Sequence, residues 1–200
     1  MYKGLDLVYY INIEQNQPMK NFTKLALTAL TALATLAPAA NAKFQDQHGN
    51  TFYDRNDFTG AHAAIVDRLY EIGIPVVDGR GTNLCKNENV LGWYTGEKNF
   101  MVICNGDYNL RAETLAHEAM HAVQDCRTGL ENSSLENPSN EDVRYWARQI
   151  GTKADLIVNN YDEEDWAIEA EAFYYETRPS AVADDLERSC GLEVKNGWNF

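Results

Sequence analysis

The sequence predicts an α+β fold in which a small β-sheet is followed by a helical C-terminal half. Residues 90–95 and 99–104 alternate apolar and polar side chains on either side of the turn Gly96-Glu-Lys, which indicates a β-hairpin. Residues 110–125 then have the length and apolar spacing of a helix. Helical patterns also fill most of the chain beyond residue 140, so helices outnumber strands.

Local signals place the elements that precede the hairpin. Residues 57–72 have an apolar helical face, with Asp57 or Thr59 available as the N-cap and Gly73 as the end. Residues 74–77 form a short apolar strand, and the glycine-rich residues 79–81 form a turn.

After residue 125, a loop comes before a series of helices. The loop, residues 128–140, is rich in Asn, Ser and Gly and contains Pro138. The helices are predicted at residues 141–150, 153–159, 162–177 and 180–190. The helix at 162–177 has an acidic first turn, which favours its dipole, and Pro179 stops it.

Residues 19–42 have the three parts of a secretory signal peptide. A basic start follows Met19, an apolar stretch occupies residues 25–38, and an Ala-x-Ala cleavage site ends at Ala42. The apolar stretch is short for a permanent anchor, so we expect cleavage after Ala42 and a secreted or periplasmic domain of residues 43–200. The alternative is an N-terminal membrane helix. Residues 1–18 fit no part of the signal, and we expect them to be a mis-assigned extension before a true start at Met19.

The chain is strongly acidic, with a net charge of −13. Residues 43–200 keep 14 basic and 28 acidic side chains, a net charge of −14. Such a chain repels nucleic acid and anionic membranes, so neither is expected as a partner.

The four cysteines all lie within the predicted mature domain. An even number behind a signal peptide suggests two disulfides. A zinc site made of four cysteines would need C-x-x-C spacing, which is absent. Three pairings are possible, and we favour Cys85 with Cys104 and Cys126 with Cys190. The first would join neighbouring strands, and the second would tie the end of the 110–125 helix to the C-terminal segment.

The 110–125 helix contains His117-Glu118-Ala-Met-His121, a His-Glu-x-x-His motif. Residues at i and i+4 lie on one face of a helix, so both imidazoles can bind one zinc ion. Glu118 lies beside the same position, where a carboxylate can take a proton from zinc-bound water. The neighbouring side chains are uncharged, which predicts a buried helix. The alternative is that ordinary hydrogen bonds satisfy the histidines and no metal binds.

A third zinc ligand must come from another segment. The histidines outside the motif in residues 43–200, His48 and His62, precede it, whereas the helix after residue 166 is apolar except for its glutamates. Glu169 and Glu171 lie about 200° apart on that helix, so they are not expected to bind one ion together. Helical geometry alone does not choose between them, and each could instead be a surface carboxylate.

The motif helix followed by a glutamate-bearing helix resembles the gluzincin metallopeptidases. Their third ligand commonly opens a Glu-x-x-small pattern followed by Asp or Asn. Residues 169–172 match Glu-x-x-Ala, so the resemblance implies Glu169 as the ligand, but Phe173 stands where Asp or Asn is expected. Residues 102–127 are also similar to the mitochondrial ATP-synthase-assembly peptidases. The two likenesses cover residues 102–127 and 167–174.

The resemblance implies a zincin-like fold and an exported zinc-dependent metallopeptidase. Residues 99–104 would form an edge strand above the motif helix, where a peptide or protein substrate could pair by strand addition. Glu118 would be the general base, with His117, His121 and Glu169 as zinc ligands. The resemblance also implies a Tyr or His that stabilises the oxyanion, for which Tyr145, Tyr174 and Tyr175 are unranked candidates.

Two alternatives stay open at the sequence level. One is a catalytically silent zincin-fold binding protein, and the other is a zinc hydrolase of a non-peptide amide, such as one in a cell wall. The intact Glu118 favours an enzyme, because a binding scaffold needs no base beside the metal.

Overall fold

The computed structural model describes residues 45–46, 49–85, 90–128 and 139–191. The predicted extension, the predicted signal peptide and most of the predicted loop at 128–140 lie outside these residues. The described part contains four strands and six α-helices, which is the predicted α+β class. Among the described residues, no helix combines the length and the apolar character that a membrane span requires.

The sheet is mixed and has the strand order β1-β2-β4-β3, formed by β1 (Thr51–Phe52), β2 (Val76–Asp78), β3 (Gly92–Thr95) and β4 (Phe100–Ile103). β3 and β4 pair antiparallel, which confirms the predicted hairpin. On its other side β4 pairs parallel with β2, Val77 opposite Val102. The prediction that residues 99–104 form an edge strand is therefore wrong, and β3 is the edge. Strand β4 takes the inner place because Met101, Val102 and Ile103 are fully buried.

The first helix, α1 (Gly60–Glu71), begins later than predicted. Residues Arg55–Asp57 form a separate short 3-10 turn, whose Asp57 carboxylate accepts from the backbone N–H of Asp54 while the Asp54 side chain accepts from Asn56. Asp57 therefore belongs to this turn and does not cap α1. Thr59 occupies the N-cap position, but its hydroxyl hydrogen-bonds to the Tyr108 hydroxyl at 2.7 Å instead of to the helix.

Helix α2 (Tyr108–Thr128) carries the His-Glu-x-x-His motif through the middle of the molecule. It packs against α1, the sheet and the C-terminal helices, and its residues from Thr114 to Asp125 are all buried. The burial predicted from the uncharged flanks is confirmed. Polar side chains on this helix must therefore find partners inside the protein.

Four helices follow: α3 (Asn140–Gln149), α4 (Lys153–Asn160), α5 (Trp166–Tyr175) and α6 (Pro179–Ser189). Ser139 caps α3 by accepting from the Asp142 N–H. Helix α5 is shorter than the predicted 162–177 helix, because the acidic run before Trp166 forms turns instead of a first helical turn. Pro179 is the first residue of α6, a position where a missing N–H costs nothing.

Two apolar clusters hold these elements together. The larger joins the sheet to α1, α2 and α6, with Leu69, Met120 and Leu186 among its fully buried members. The smaller contains Trp146, Ile157 and Ala170 and lies between α3, α4 and α5. Helix α5 contributes Ala172 to the larger cluster and Ala170 to the smaller, so both faces of α5 are packed.

Both favoured disulfide pairings are confirmed. Cys85 is bonded to Cys104, which ties the turn after β2 to the end of β4. Cys126 is bonded to Cys190, which ties the end of α2 to the end of α6. Two disulfides suggest an oxidising environment outside the cytosol.

Candidate metal centre

Helices α2 and α5 bring His117, His121 and Glu169 together. Nε2 of His117 lies 3.3 Å from Oε2 of Glu169, and Nε2 of His121 lies 3.5 Å from Oε1. The three residues are buried, and their ligand atoms all lie within 4.8 Å of one another. The structure thus assembles the three residues predicted as metal ligands from two helices that are far apart in sequence.

The carboxylate of Glu169 has an unsatisfied oxygen that a cation would satisfy. Oε2 is buried and makes no hydrogen bond of acceptable geometry, although Nε2 of His117 lies nearby. In a tetrahedral zinc site with bonds of about 2.0–2.1 Å, ligand atoms lie about 3.3 Å apart, close to the separations found here. A buried group of two imidazoles and one carboxylate therefore fits a metal ion.

Glu118 is buried beside this group, and all four residues line one cleft that opens to the surface. Burial raises the pKa of its carboxyl group, and the nearby His117 and His121 act in the opposite direction. The Cγ atom of Glu118 lies close to Gly92 on β3, 3.5 Å from the position that a Cβ atom of that residue would occupy. Glu118 is thus held between the motif helix and the edge strand.

Gly92 permits the close approach of β3 to α2. A Cβ atom at this position would lie 2.5 Å from Cγ2 of Thr114 and 2.8 Å from the carbonyl oxygen of Val102, so no larger residue fits without movement. Tyr94 fixes the same contact, because its hydroxyl donates to Asp125 on α2 at 2.6 Å. These contacts place β3, an outer strand of the described sheet, beside Glu118.

The Nδ1 atoms of the two histidines, which point away from Glu169, face different partners. Nδ1 of His121 lies 2.8 Å from Oε1 of Gln124, one turn further along α2. Nδ1 of His117 lies 3.6 Å from Oε2 of Glu176, which also pairs with Lys153. Each histidine thus directs Nε2 toward Glu169, while its Nδ1 faces an oxygen of Gln124 or Glu176.

Sequence reasoning missed Gln124 and Glu176. A helical signal for both exists: Gln124 lies three residues after His121, and Glu176 lies seven residues, two turns, after Glu169. Phe173, found where the family pattern expects Asp or Asn, packs edge-on against the His117 ring at 4.6 Å between centroids. Position 173 is thus used for packing, and the carboxylate that faces Nδ1 of His117 comes from Glu176.

Glu171 is not a surface carboxylate, and it does not join the histidines. It is 2% exposed and accepts hydrogen bonds from Gln124 and Arg127, each at 2.9 Å. Glu169 and Glu171 therefore serve opposite sides of α5, as their angular separation predicted. Helical geometry alone did not choose between Glu169 and Glu171 as the third candidate ligand, and in the structure Glu169 is the one that lies beside the histidines.

An open cleft of about 520 Å³ leads from the surface to the candidate site. Its described lining comprises residues 92–97 of β3 and its turn, together with His117, Glu118, His121, Tyr161, Asp165 and Glu169.

Two tyrosines, Tyr94 and Tyr161, line this cleft, and sequence reasoning selected neither of them. The hydroxyl of Tyr94 is used by Asp125, which leaves Tyr161. Tyr161 lines the cleft together with Glu169, and burial raises the pKa of the Tyr161 hydroxyl. The predicted candidates Tyr145, Tyr174 and Tyr175 are not among the lining residues. The first two instead pack their rings together at 5.6 Å. Tyr161 follows α4 as its C-cap, and no periodic pattern marks it as a site residue.

Protein-family models, curated proteins and solved structures were each compared with this chain, and none gave a match. The chemistry of the site is therefore inferred from its own residues.

Proposed function

We propose that this chain is an exported zinc-dependent metallopeptidase with Glu118 as its general base. The observation that carries the proposal is the position of Glu118, a buried carboxylate beside the His117, His121 and Glu169 group, in a cleft open to solvent. A site that only stored a metal ion would need neither the second carboxylate nor the open cleft.

Zinc is the ion that this set of ligands favours. Two imidazole nitrogens and one carboxylate, with room for a further ligand, are typical of catalytic zinc sites. When bound, zinc supplies a Lewis acid that makes a water molecule more acidic and polarises a carbonyl group.

Glu118 would then move the proton. Burial raises the pKa of Glu118 toward neutral pH. A group whose pKa lies near the working pH both accepts and releases protons efficiently. Glu118 would accept the proton of the attacking water and return it to the amine nitrogen of the leaving group. Tyr161 is the tyrosine hydroxyl placed to donate to the developing oxyanion.

No strand in the described part of the chain pairs with the outer edge of β3, which provides a place for an extended peptide. The N–H of Cys104 donates to the carbonyl of Leu91, and hydrogen-bonded pairs alternate along an antiparallel ladder. Gly92 and Tyr94 therefore direct their backbone groups away from β4 and toward the cleft. A substrate strand paired with these groups would pass beside Glu118, which favours peptides over other amides.

Metal content and activity test the proposal together. Purified protein of residues 43–200, with both disulfides formed, should contain zinc by mass spectrometry and should cleave denatured casein. Chelation should remove the activity and added zinc should restore it. Zinc without cleavage of any peptide would favour the silent binding protein, and cleavage of non-peptide amides alone would favour the other hydrolase.

A further inference from the structure

Glu171 is a buried carboxylate that the proposed reaction does not use. Its oxygen Oε1 accepts from Nη1 of Arg127, and its oxygen Oε2 accepts from Nε2 of Gln124, both at 2.9 Å. Burying a carboxylate is costly unless its partners are well placed. The partners of Glu171 lead back to the candidate metal centre.

The amide of Gln124 has a fixed orientation. Its Nε2 group donates to the carbonyl oxygen of Ile168 at 3.0 Å and to Glu171, so both of its hydrogens are used. Its oxygen is therefore the atom that faces Nδ1 of His121 at 2.8 Å. An amide oxygen can only accept, so Nδ1 must carry the proton.

A neutral imidazole has one N–H group. With the proton of His121 on Nδ1, its Nε2 keeps a free electron pair and faces Glu169 at 3.5 Å. This is the tautomer that a metal ion requires at that position.

We infer that Glu171 is a positioning residue, which acts through Gln124 to hold His121 in its metal-binding tautomer. The chain of hydrogen bonds runs from Arg127 through Glu171 and Gln124 to His121 and joins α2 to α5 twice. The inference rests on the proposed metal site, but the proton position on His121 can be measured without any metal.

Glu171→Gln should reverse this arrangement. The introduced amide has one acceptor oxygen for two donors, and the charged Arg127 retains that oxygen. The new NH2 group then faces the NH2 group of Gln124. Rotation of the Gln124 amide gives up its bond to the Ile168 carbonyl, lets its oxygen accept from the new NH2 group, and presents its own NH2 group to His121. The proton of His121 moves to Nε2, and zinc binding must first remove it.

The first measurement is the ring tautomer in metal-free protein at alkaline pH, read from long-range proton–nitrogen correlations of the histidine side chains. Wild-type His121 should carry its proton on Nδ1, and Glu171→Gln should move it to Nε2. Wild-type protein with the proton on Nε2 would overturn the inference without any variant being made.

The second measurement is zinc affinity by competition with a chelating dye. Glu171→Gln should weaken zinc binding about 10–100-fold, the usual effect of losing an outer partner of a ligand histidine. The double variant Gln124→Glu with Glu171→Gln should recover part of this loss. It restores an acceptor facing His121 and a donor–acceptor pair between positions 124 and 171, but position 124 no longer donates to the carbonyl of Ile168. Glu141→Gln, which removes an exposed carboxylate from α3, is the control and should change nothing.

The outcomes separate the two proposals. If Glu171→Gln lowers stability but leaves the tautomer and the zinc affinity unchanged, Glu171 only neutralises Arg127 and the inference is wrong. If wild-type protein binds no zinc yet keeps the proton on Nδ1 in a Glu171-dependent way, the positioning role is supported and the proposed peptidase is contradicted.

Discussion

Nδ1 of His117 lies 3.6 Å from Oε2 of Glu176, on the side of the ring opposite the 3.3 Å contact between Nε2 and Glu169. Both carboxylates come from one short stretch of chain, α5 and its C-cap. One helix thus provides a candidate metal ligand and, two turns away, a carboxylate that faces another candidate ligand.

Glu176→Ala should weaken zinc binding about 10–100-fold, because His117 loses the carboxylate that orients its ring. Glu176→Gln keeps an acceptor near Nδ1 and should lose less. Chelator competition on the two variants gives the comparison. Equal zinc affinity in wild type and Glu176→Ala would show that Glu176 serves only to pair with Lys153.

Glu169→Gln should bind zinc far more weakly than Glu171→Gln. The first change removes a ligand, and two remaining protein ligands hold zinc poorly. The second leaves all three ligands and alters only the orientation of His121. Isothermal titration with zinc orders the two variants, and the reverse order would make Glu171 the ligand.

Gly92→Ala should cost about 1–3 kcal/mol of unfolding free energy, because the added methyl group meets Thr114 and the backbone of Val102. Urea denaturation measures the change. Gly106→Ala is the matched control, since its nearest neighbours are side-chain atoms of Arg80 at 3.7 Å, an ordinary contact. A Gly92→Ala variant as stable as that control would mean that β3 moves freely over the helix.

Replacing both Cys126 and Cys190 by Ser removes a bond that closes a separation of 64 residues. In the chain-entropy model this should lower the free energy of unfolding by about 4 kcal/mol. Removing the Cys85–Cys104 bond, with a separation of 19 residues, should cost about 3 kcal/mol. Denaturation of the two double variants tests the order. A larger loss from the shorter loop would show that folded-state contacts outweigh chain entropy.

Features set by local spacing could be predicted from the sequence. The separation of His117 and His121, the hairpin and the opposite directions of Glu169 and Glu171 all follow from helical or strand periodicity. The structure places each of these as expected. The starts of α1 and α5 were predicted too early, because the acidic residues before each helix form turns of their own.

The disulfide pairings apart, features set by distant pairing could not be predicted. The inner place of β4 depends on its parallel pairing with β2, which no local pattern encodes. Tyr161 reaches the site from the residue that ends α4, and only the packing of α5 brings it there. Gln124 had a suitable spacing from His121, but its role depends on Glu171 from another helix.

The central claim is that Glu118 is a base beside a metal that it does not bind. Glu118→Gln keeps the size of the side chain but cannot accept the proton, so the variant should retain zinc and lose about 10²–10⁴-fold in kcat on a peptide substrate. Glu113→Gln, the same change on the same helix, should retain both zinc and activity. The deciding measurement is zinc content and kcat on the same preparation of Glu118→Gln. Full zinc with a collapsed kcat is the predicted result, and full zinc with an unchanged kcat would contradict the account.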